Sequence, residues 1–346
     1  MMLNAGDIKR LNRQHIFELL IDYGRTTKTE LAERSGLSIP TVYNIITDME
    51  DRGFIERVED VMQPMTPGRP RQYLRLSGNS RFAFGVRYEG ELLCIGLTNL
   101  CGSMRAVRVR RGVMDVEELF EKVLPEMMQE ILRDTGVEKE RVLGVGIGLA
   151  VENEVKKEWK DALEARMGMQ VLLGRDTYFA VVGEYVNHQQ REKNLLYVSM
   201  GTTVNCGVLT DGHVRMGSAG QLGCIGRMVL DGGKTLDELI GRKALREKFG
   251  MPPDYDRAGA TAYAVRYLAM ALHNLLLGCD VQTIVLGGDV AAQLGDGAVE
   301  AVREELSKWS SVPVRVQRQS YPMPAVLGAA FGVFYVTLEE LIGTDE

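Results

Sequence analysis

Ser38, Thr41, Tyr43 and Asn44 lie within seven residues of one another, and their side chains can do the chemistry of reading base edges. Short hydroxyls, a phenol and a planar amide exchange hydrogen bonds with the donor and acceptor pattern of a major groove. Downstream, Gly68-Arg69-Pro70-Arg71 puts two guanidinium groups, Arg69 and Arg71, at the end of a Pro/Gly-rich stretch that begins at Gln63. Cations on such a tip suit phosphates or a narrow minor groove, and the bland alternative is a solvated basic loop.

These side chains need a rigid carrier, and the flanking residues supply one. Thr27 can cap a helix, with Glu30 three residues on as its reciprocal partner, and Leu31 and Ala32 form the inner face. Gly36 stops that helix. Ser38 caps the next, Pro40 sits in its first turn where a missing N–H costs nothing, and Val42, Ile45, Ile46 and Met49 recur at helical spacing. Leu11, Ile16, Leu19 and Leu20 make the apolar stripe of a preceding helix that closes a three-helix core. Phe54, Ile55 and Val58 read as one short strand and Tyr73, Leu74 and Leu76 as its return, so a wing follows. Residues 1–78 are thus expected to form a winged helix-turn-helix that binds double-stranded DNA through Thr27, Ser38, Thr41, Tyr43, Asn44, Arg69 and Arg71. A helical hairpin with ordinary caps is the competing reading.

The chain has 346 residues, of which 45% are hydrophobic, enough for two or three cores. Residues 1–80 balance 11 Lys+Arg against 11 Asp+Glu, so the net charge of −6 lies beyond them. A balanced reader gives a modest electrostatic contribution to DNA affinity, which dimerisation would double. Cys94, Cys101, Cys206, Cys224 and Cys279 are scattered, and His188, His213 and His273 have no metal spacing, so neither a metal site nor a disulfide framework is expected. With no signal-like start and no apolar run of membrane length, the expectation is a cytoplasmic protein without membrane contact.

From about Arg81 short apolar runs alternate with helical stretches, which is α/β texture. Strands are expected at Phe82–Val86, Leu92–Leu97, Met104–Arg110 and Val142–Leu149, with a helix over Val116–Arg133. A second series repeats the opening at Leu195–Met200, Cys206–Leu209 and His213–Met216, followed by helices through Ala260–Leu277, a strand at Thr283–Leu286 and a last helix over Ala325–Ile342. Two similar halves imply an internal duplication.

A winged helix followed by such a duplication resembles the ROK family of repressors, open reading frames and sugar kinases. Gly68-Arg69-Pro70, Gly201-Thr202, the glycines of Gly217–Met228, Gly287-Gly288 and Leu327-Gly328-Ala329-Ala330 all match that family's pattern. The resemblance implies an α/β actin-like ATPase (ribonuclease H-like) fold, with one subdomain over 79–190 and another over 191–346, the C-terminal helix packing back on the first.

It also implies a sugar-kinase site, from which this chain departs. Where the family has Asp-x-Gly-Gly-Thr, the chain has Arg87-Tyr88-Glu89-Gly90-Glu91, whose carboxylates would repel a triphosphate. The second phosphate turn, Gly201–Gly207, has lost two glycines. By resemblance Asp176 is the vestigial catalytic base, but its partner position carries Arg175. The family's glutamate and histidine positions hold Cys224 and Arg227, Asp237 stands about where a further sugar-binding glutamate is expected, and the zinc loop with its three cysteines is missing. No enzyme activity, cofactor or metal is therefore expected. Arg175, Asp176, Cys224, Arg227 and Asp237 remain effector-pocket candidates in two ways: the arginines clamp an anionic or sugar-derived effector, or they pair with Asp176 and Asp237 and close the site. The reading is a repressor of carbohydrate-related genes that binds a twofold-symmetric operator as a homodimer or higher homo-oligomer. The alternatives are a sugar kinase that kept a DNA reader and a scaffold for a protein partner.

Overall fold

The computed structural model describes residues 5–59, 72–89, 92–112, 116–150, 157–187, 192–251, 253–310 and 312–343. Arg69 and Arg71, the turn residues Gly90 and Glu91, and His188 lie outside them.

The chain opens with α1 (Ala5–Tyr23), α2 (Lys28–Ser35), α3 (Ile39–Asp51), β1 (Ile55–Glu59) and β2 (Gln72–Leu76). β1 and β2 pair antiparallel, from Ile55 opposite Leu76 to Glu59 opposite Gln72. The ends of the helices follow from local chemistry. Thr27 and Glu30 form the reciprocal capping box, and Gly36 closes α2 in the left-handed region at φ 69°, which glycine adopts without a Cβ clash. Thr26 is buried and exchanges backbone hydrogen bonds with Leu74 (3.0 and 2.7 Å), so the start of α2 is laced into the wing. Ile16, Phe17, Leu20, Leu31, Val42, Ile46 and Met49 fill the core. Leu11 does not join it: it is 43% exposed, so the apolar stripe of α1 begins further along than the sequence suggests.

Next come β3 (Phe82–Glu89), β4 (Leu92–Asn99), β5 (Met104–Arg111), α4 (Val116–Glu118), a π-turn (Leu119–Val123), α5 (Leu124–Thr135), β6 (Val142–Leu149), α6 (Lys157–Met167) and β7 (Gln170–Arg175). They build a sheet of order β5-β4-β3-β6-β7, antiparallel across β5-β4-β3 and parallel from β3 to β6. After α7 (Asp176–Asn187) the plan recurs: β8 (Leu195–Met200), β9 (Val204–Thr210), β10 (His213–Val214), α8 (Leu236–Ile240), α9 (Arg242–Phe249), α10 (Arg257–Cys279), β11 (Thr283–Gly287), α11 (Asp289–Leu294), α12 (Gly297–Ser307), β12 (Arg315–Arg318) and α13 (Pro324–Gly343). The second sheet, β10-β9-β8-β11-β12, is antiparallel through β8 and parallel beyond it. Each half therefore orders its strands third, second, first, fourth, fifth, which is the duplicated ribonuclease H-like plan of the actin-like fold. The sequence reading lacked β7 and β12, whose short runs Gln170–Arg175 and Arg315–Arg318 carry little apolar alternation.

By contacts the chain divides into two compact units. The first holds residues 1–174, 189–191 and 326–346, and so includes the winged helix, the first sheet and most of α13; the second holds 175–188 and 192–325. Within the first, the winged helix is tied to the sheet by Ser77 N–H donating to Phe54 O (2.8 Å), Cys101 Sγ–H donating to Leu76 O (3.1 Å) and the Arg81 guanidinium over the Phe54 ring (5.3 Å). Within the second, the fully buried Glu184 of α7 accepts hydrogen bonds from Ser320 Oγ (2.7 Å) and from the backbone of Ser320 and Tyr321, fixing the turn before α13.

Candidate functional site

The exposed face of α3 carries the base-reading candidates. Tyr43 and Asn44 are exposed, while Val42, Ile45, Ile46 and Met49 hold the opposite face in the core. Ser38 Oγ accepts the Thr41 N–H (3.3 Å) and bonds the Thr41 hydroxyl (2.8 Å), so these two candidates also define the start of the helix. Thr27 is engaged in its capping box, where its hydroxyl accepts the Glu30 N–H (3.2 Å). Ile39 stands 60% exposed in the first turn, a residue that sequence reasoning passed over because an isoleucine beside a proline looks like core.

Charged groups lock this helix in place. Asp48 meets Arg13 of α1 (3.1 Å) and Arg52 (3.1 Å), Arg57 of the wing grips Glu50 with two hydrogen bonds (2.6 and 2.8 Å), and Lys28 Nζ sits 3.9 Å over the Tyr43 ring. Thr27, Lys28, Glu30, Glu33, Arg57 and Gln72 border a cavity of about 580 Å³ between the start of α2 and the wing. The Arg57 hydrogen bonds hold the Glu50 carboxyl below its ordinary value of 4.5, against the opposing effect of burial. A depressed carboxyl stabilises the fold above its unfolded pKa and loses that contribution as pH falls through the folded one. The wing should therefore loosen on acidification below about pH 4.5, and Glu50→Gln should remove that part of the pH dependence in a circular dichroism titration. An unchanged acid profile would refute this.

In the second unit the sugar-site candidates are held by the chain itself. Arg175 Nη1 donates to Cys224 Sγ (2.7 Å) and Nη2 to Gly220 O (2.6 Å), so the guanidinium pins the 220–224 loop. Asp176 is buried at the start of α7, and Arg227 is exposed and donates to Gln221 Oε1 (3.2 Å). Asp237 Oδ1 accepts the Val204 N–H (2.6 Å), and its carboxylate lies so close to Gly226 that a Cβ there would meet it at 2.2 Å. Arg175 thus bonds the 220–224 loop, and the Asp237 carboxylate grips the β8–β9 turn. The structure brings Arg175 and Cys224 together. Among the described residues no cluster of three or more His, Cys, Asp or Glu could hold a metal.

The nucleotide side is altered in the same manner. Gly288 packs on Met200, where a Cβ would meet the backbone oxygen at 2.2 Å, and Arg242 N–H donates to Gly201 O (2.9 Å). Arg242 then reaches Asp289 (2.9 Å), an ion pair that ties α9 to α11 next to the Gly201 turn. In the other unit Arg87 pairs with Glu89 (2.7 Å) at the end of β3, where the first phosphate turn of the kinase pattern would begin.

Reader and body together define a winged helix-turn-helix protein with a duplicated, sugar-kinase-like domain. The ROK family's model matches residues 150–247, and a model described as winged helix-turn-helix DNA-binding matches residues 10–56. Among curated relatives, the DNA-binding transcriptional dual regulator NagC of Escherichia coli K12 is 20% identical over 361 residues, covering 99% of this chain and 87% of that protein. The xylose repressor of Bacillus subtilis 168 is 19% identical over 240 residues, covering 65% and 62%. The chain spans about 60% of the length of the first curated relatives it matches. A crystal structure titled ROK family transcriptional regulator, homolog of E. coli MLC protein, superposes with a TM-score of 0.78 at 18% identity, covering 97% of this chain and 99% of that one. The ROK hexokinase from Thermus thermophilus gives 0.61 at 23% identity over 75% and 99%. These two likenesses establish the fold. No helix among the described residues is long and apolar enough to cross a membrane.

Proposed function

We propose that the protein is a transcriptional repressor of carbohydrate-related genes, in which the winged helix binds a twofold-symmetric operator and a non-catalytic ROK domain supplies dimerisation and effector sensing. The observation that carries this reading is α3, capped at its first turn, braced by Asp48 and Glu50 ion pairs, and presenting Tyr43 and Asn44 to solvent. Relatives named as repressors of xylose and N-acetylglucosamine support the carbohydrate assignment. The Arg87–Glu89 ion pair, at the position of the first phosphate turn in the kinase pattern, and the two glycines lost from Gly201–Gly207 favour a sensor over a kinase. An effector that rotates the paired halves changes the spacing of two recognition helices, which must sit about one DNA turn apart.

The test is fluorescence anisotropy of the full chain with DNA from upstream of its own gene, over a salt series and beside Thr41→Ala/Asn44→Ala. Saturable binding by a dimer, at least about tenfold weaker in the variant, is the expected result. Equal, salt-governed binding by both proteins, or specific binding by a monomer, would remove the reading. For the sensor, ATP with magnesium is expected to leave the melting temperature unchanged. A bound nucleotide at a hundredfold excess over its dissociation constant would stabilise by about 2.7 kcal/mol, and such a shift would restore the kinase.

A further inference from the structure

We infer that Ile39 reads thymine methyl groups in the operator half-site, with Tyr43 completing an apolar edge beside the amide of Asn44. This rests on the DNA-binding reading above and goes beyond it, naming what the helix recognises. Ile39 and Tyr43 are 60% and 54% exposed and stand one helical turn apart, on the same side of α3, at the end that enters the groove in helix-turn-helix proteins. Singly scattered apolar residues on a surface need no explanation. Two of them one turn apart, with an exposed amide following the second, form a pattern, since the major groove offers one apolar mark, the 5-methyl of thymine.

The neighbouring side chains point the same way. The hydroxyls of Ser38 and Thr41 bond each other at 2.8 Å and cap the helix, which leaves the amide and the apolar pair as the groups not already committed to building it. Lys28 stacks its ammonium 3.9 Å over the Tyr43 ring, which fixes the ring and brings a cation to the edge of the same face, where a phosphate would lie. The expected target is thus a half-site with thymines next to a base that Asn44 reads, adenine being the natural partner of a bidentate amide.

The test begins by selecting duplexes from a random pool with the full-length protein. Each thymine of the selected half-site is then replaced by deoxyuridine, which removes one methyl and keeps every hydrogen-bonding edge. Wild type should lose about fourfold in affinity at one or two positions, the worth of one buried methyl. The same replacements should change Ile39→Ala binding less than about twofold, while Ile39→Val keeps the discrimination. Ile39 faces solvent, so the substitutions leave the core intact, and the wild-type measurement stands without them. If deoxyuridine is neutral at every position of a sequence that wild type binds specifically, or if Ile39→Ala retains the full penalty, the inference is overturned and the DNA reading stands. If no sequence is enriched and affinity follows salt alone, the DNA reading fails and takes the inference with it.

Discussion

Gly85→Ala is expected to destabilise the first unit by about 3 kcal/mol or more, although it adds a single methyl group. Gly85 lies opposite Gly96 on β4 and Gly146 on β6, so three glycines stand in register across three neighbouring strands. The row lets the first turns of α13 approach the sheet at backbone distance. A Cβ on Gly85 would come within 1.8 Å of Val326 O, and one on Gly146 within 2.1 Å of Ala329 O. Both partners are main chain of a buried helix, which cannot swing aside as a side chain would. The sign of the effect is diagnostic. In an open setting glycine-to-alanine restricts the unfolded chain and stabilises, and Gly278 in α10, with nothing within 4 Å of the added atom, should show that opposite response. Urea unfolding of the two variants beside wild type measures both; a Gly85→Ala protein as stable as wild type would mean that α13 does not lie where it is placed.

The parts of this molecule that could be read from the sequence are those specified by neighbours in the chain. Thr27 with Glu30, Gly36, and Ser38 followed by Pro40 each act within one helical turn, and all three occur as local chemistry dictates. The hairpins that open each half are of the same kind. The sites were less legible because their contacts are not local. Arg175 meets Cys224 across 49 residues, and that pairing depends on where the fold brings the end of β7 and the 220–224 loop. Asp237 stands where the family pattern expects a sugar-binding glutamate, and its Oδ1 accepts the Val204 N–H from 33 residues away, a contact that no local pattern signals. Ile39 was passed over for the opposite reason: its residue type signals core, and only the direction of its side chain shows otherwise.

A common logic connects these substitutions. Where the kinase pattern needs bare backbone or a free carboxylate, this chain has put groups that satisfy each other: Arg87 with Glu89, Arg242 with Asp289, Arg175 with the 220–224 loop. Under the sensor reading proposed above, such pairs would hold a defined arrangement that a ligand could shift to another. Burial also pushes the Cys206 thiol far above its ordinary range, which leaves that cysteine a packing residue beside the same turn.

The same use of charge to fix geometry, carried into the reader, gives the second large effect. Asp48→Ala is expected to cost about 3 kcal/mol and to weaken operator binding together with stability. Asp48 sits on α3 and faces Arg13, which is only 5% exposed, and Arg52, each at 3.1 Å. Removing the carboxylate strips a counter-charge at 3.1 Å from a guanidinium that has little access to water, and breaking such a pair is far more damaging than replacing it whole. Arg13→Met/Asp48→Leu should therefore be closer to wild type in thermal unfolding than Asp48→Ala alone, despite carrying one more substitution. Anisotropy on the three proteins separates two roles for the pair. If the double variant regains stability but not DNA affinity, Asp48 orients α3 through its charge; if both return together, the pair only fills space between α1 and α3. A single variant within about 0.5 kcal/mol of wild type would mean that Arg13 is stabilised without Asp48, and the brace on the recognition helix would have to be sought in Glu50 and Arg57 alone.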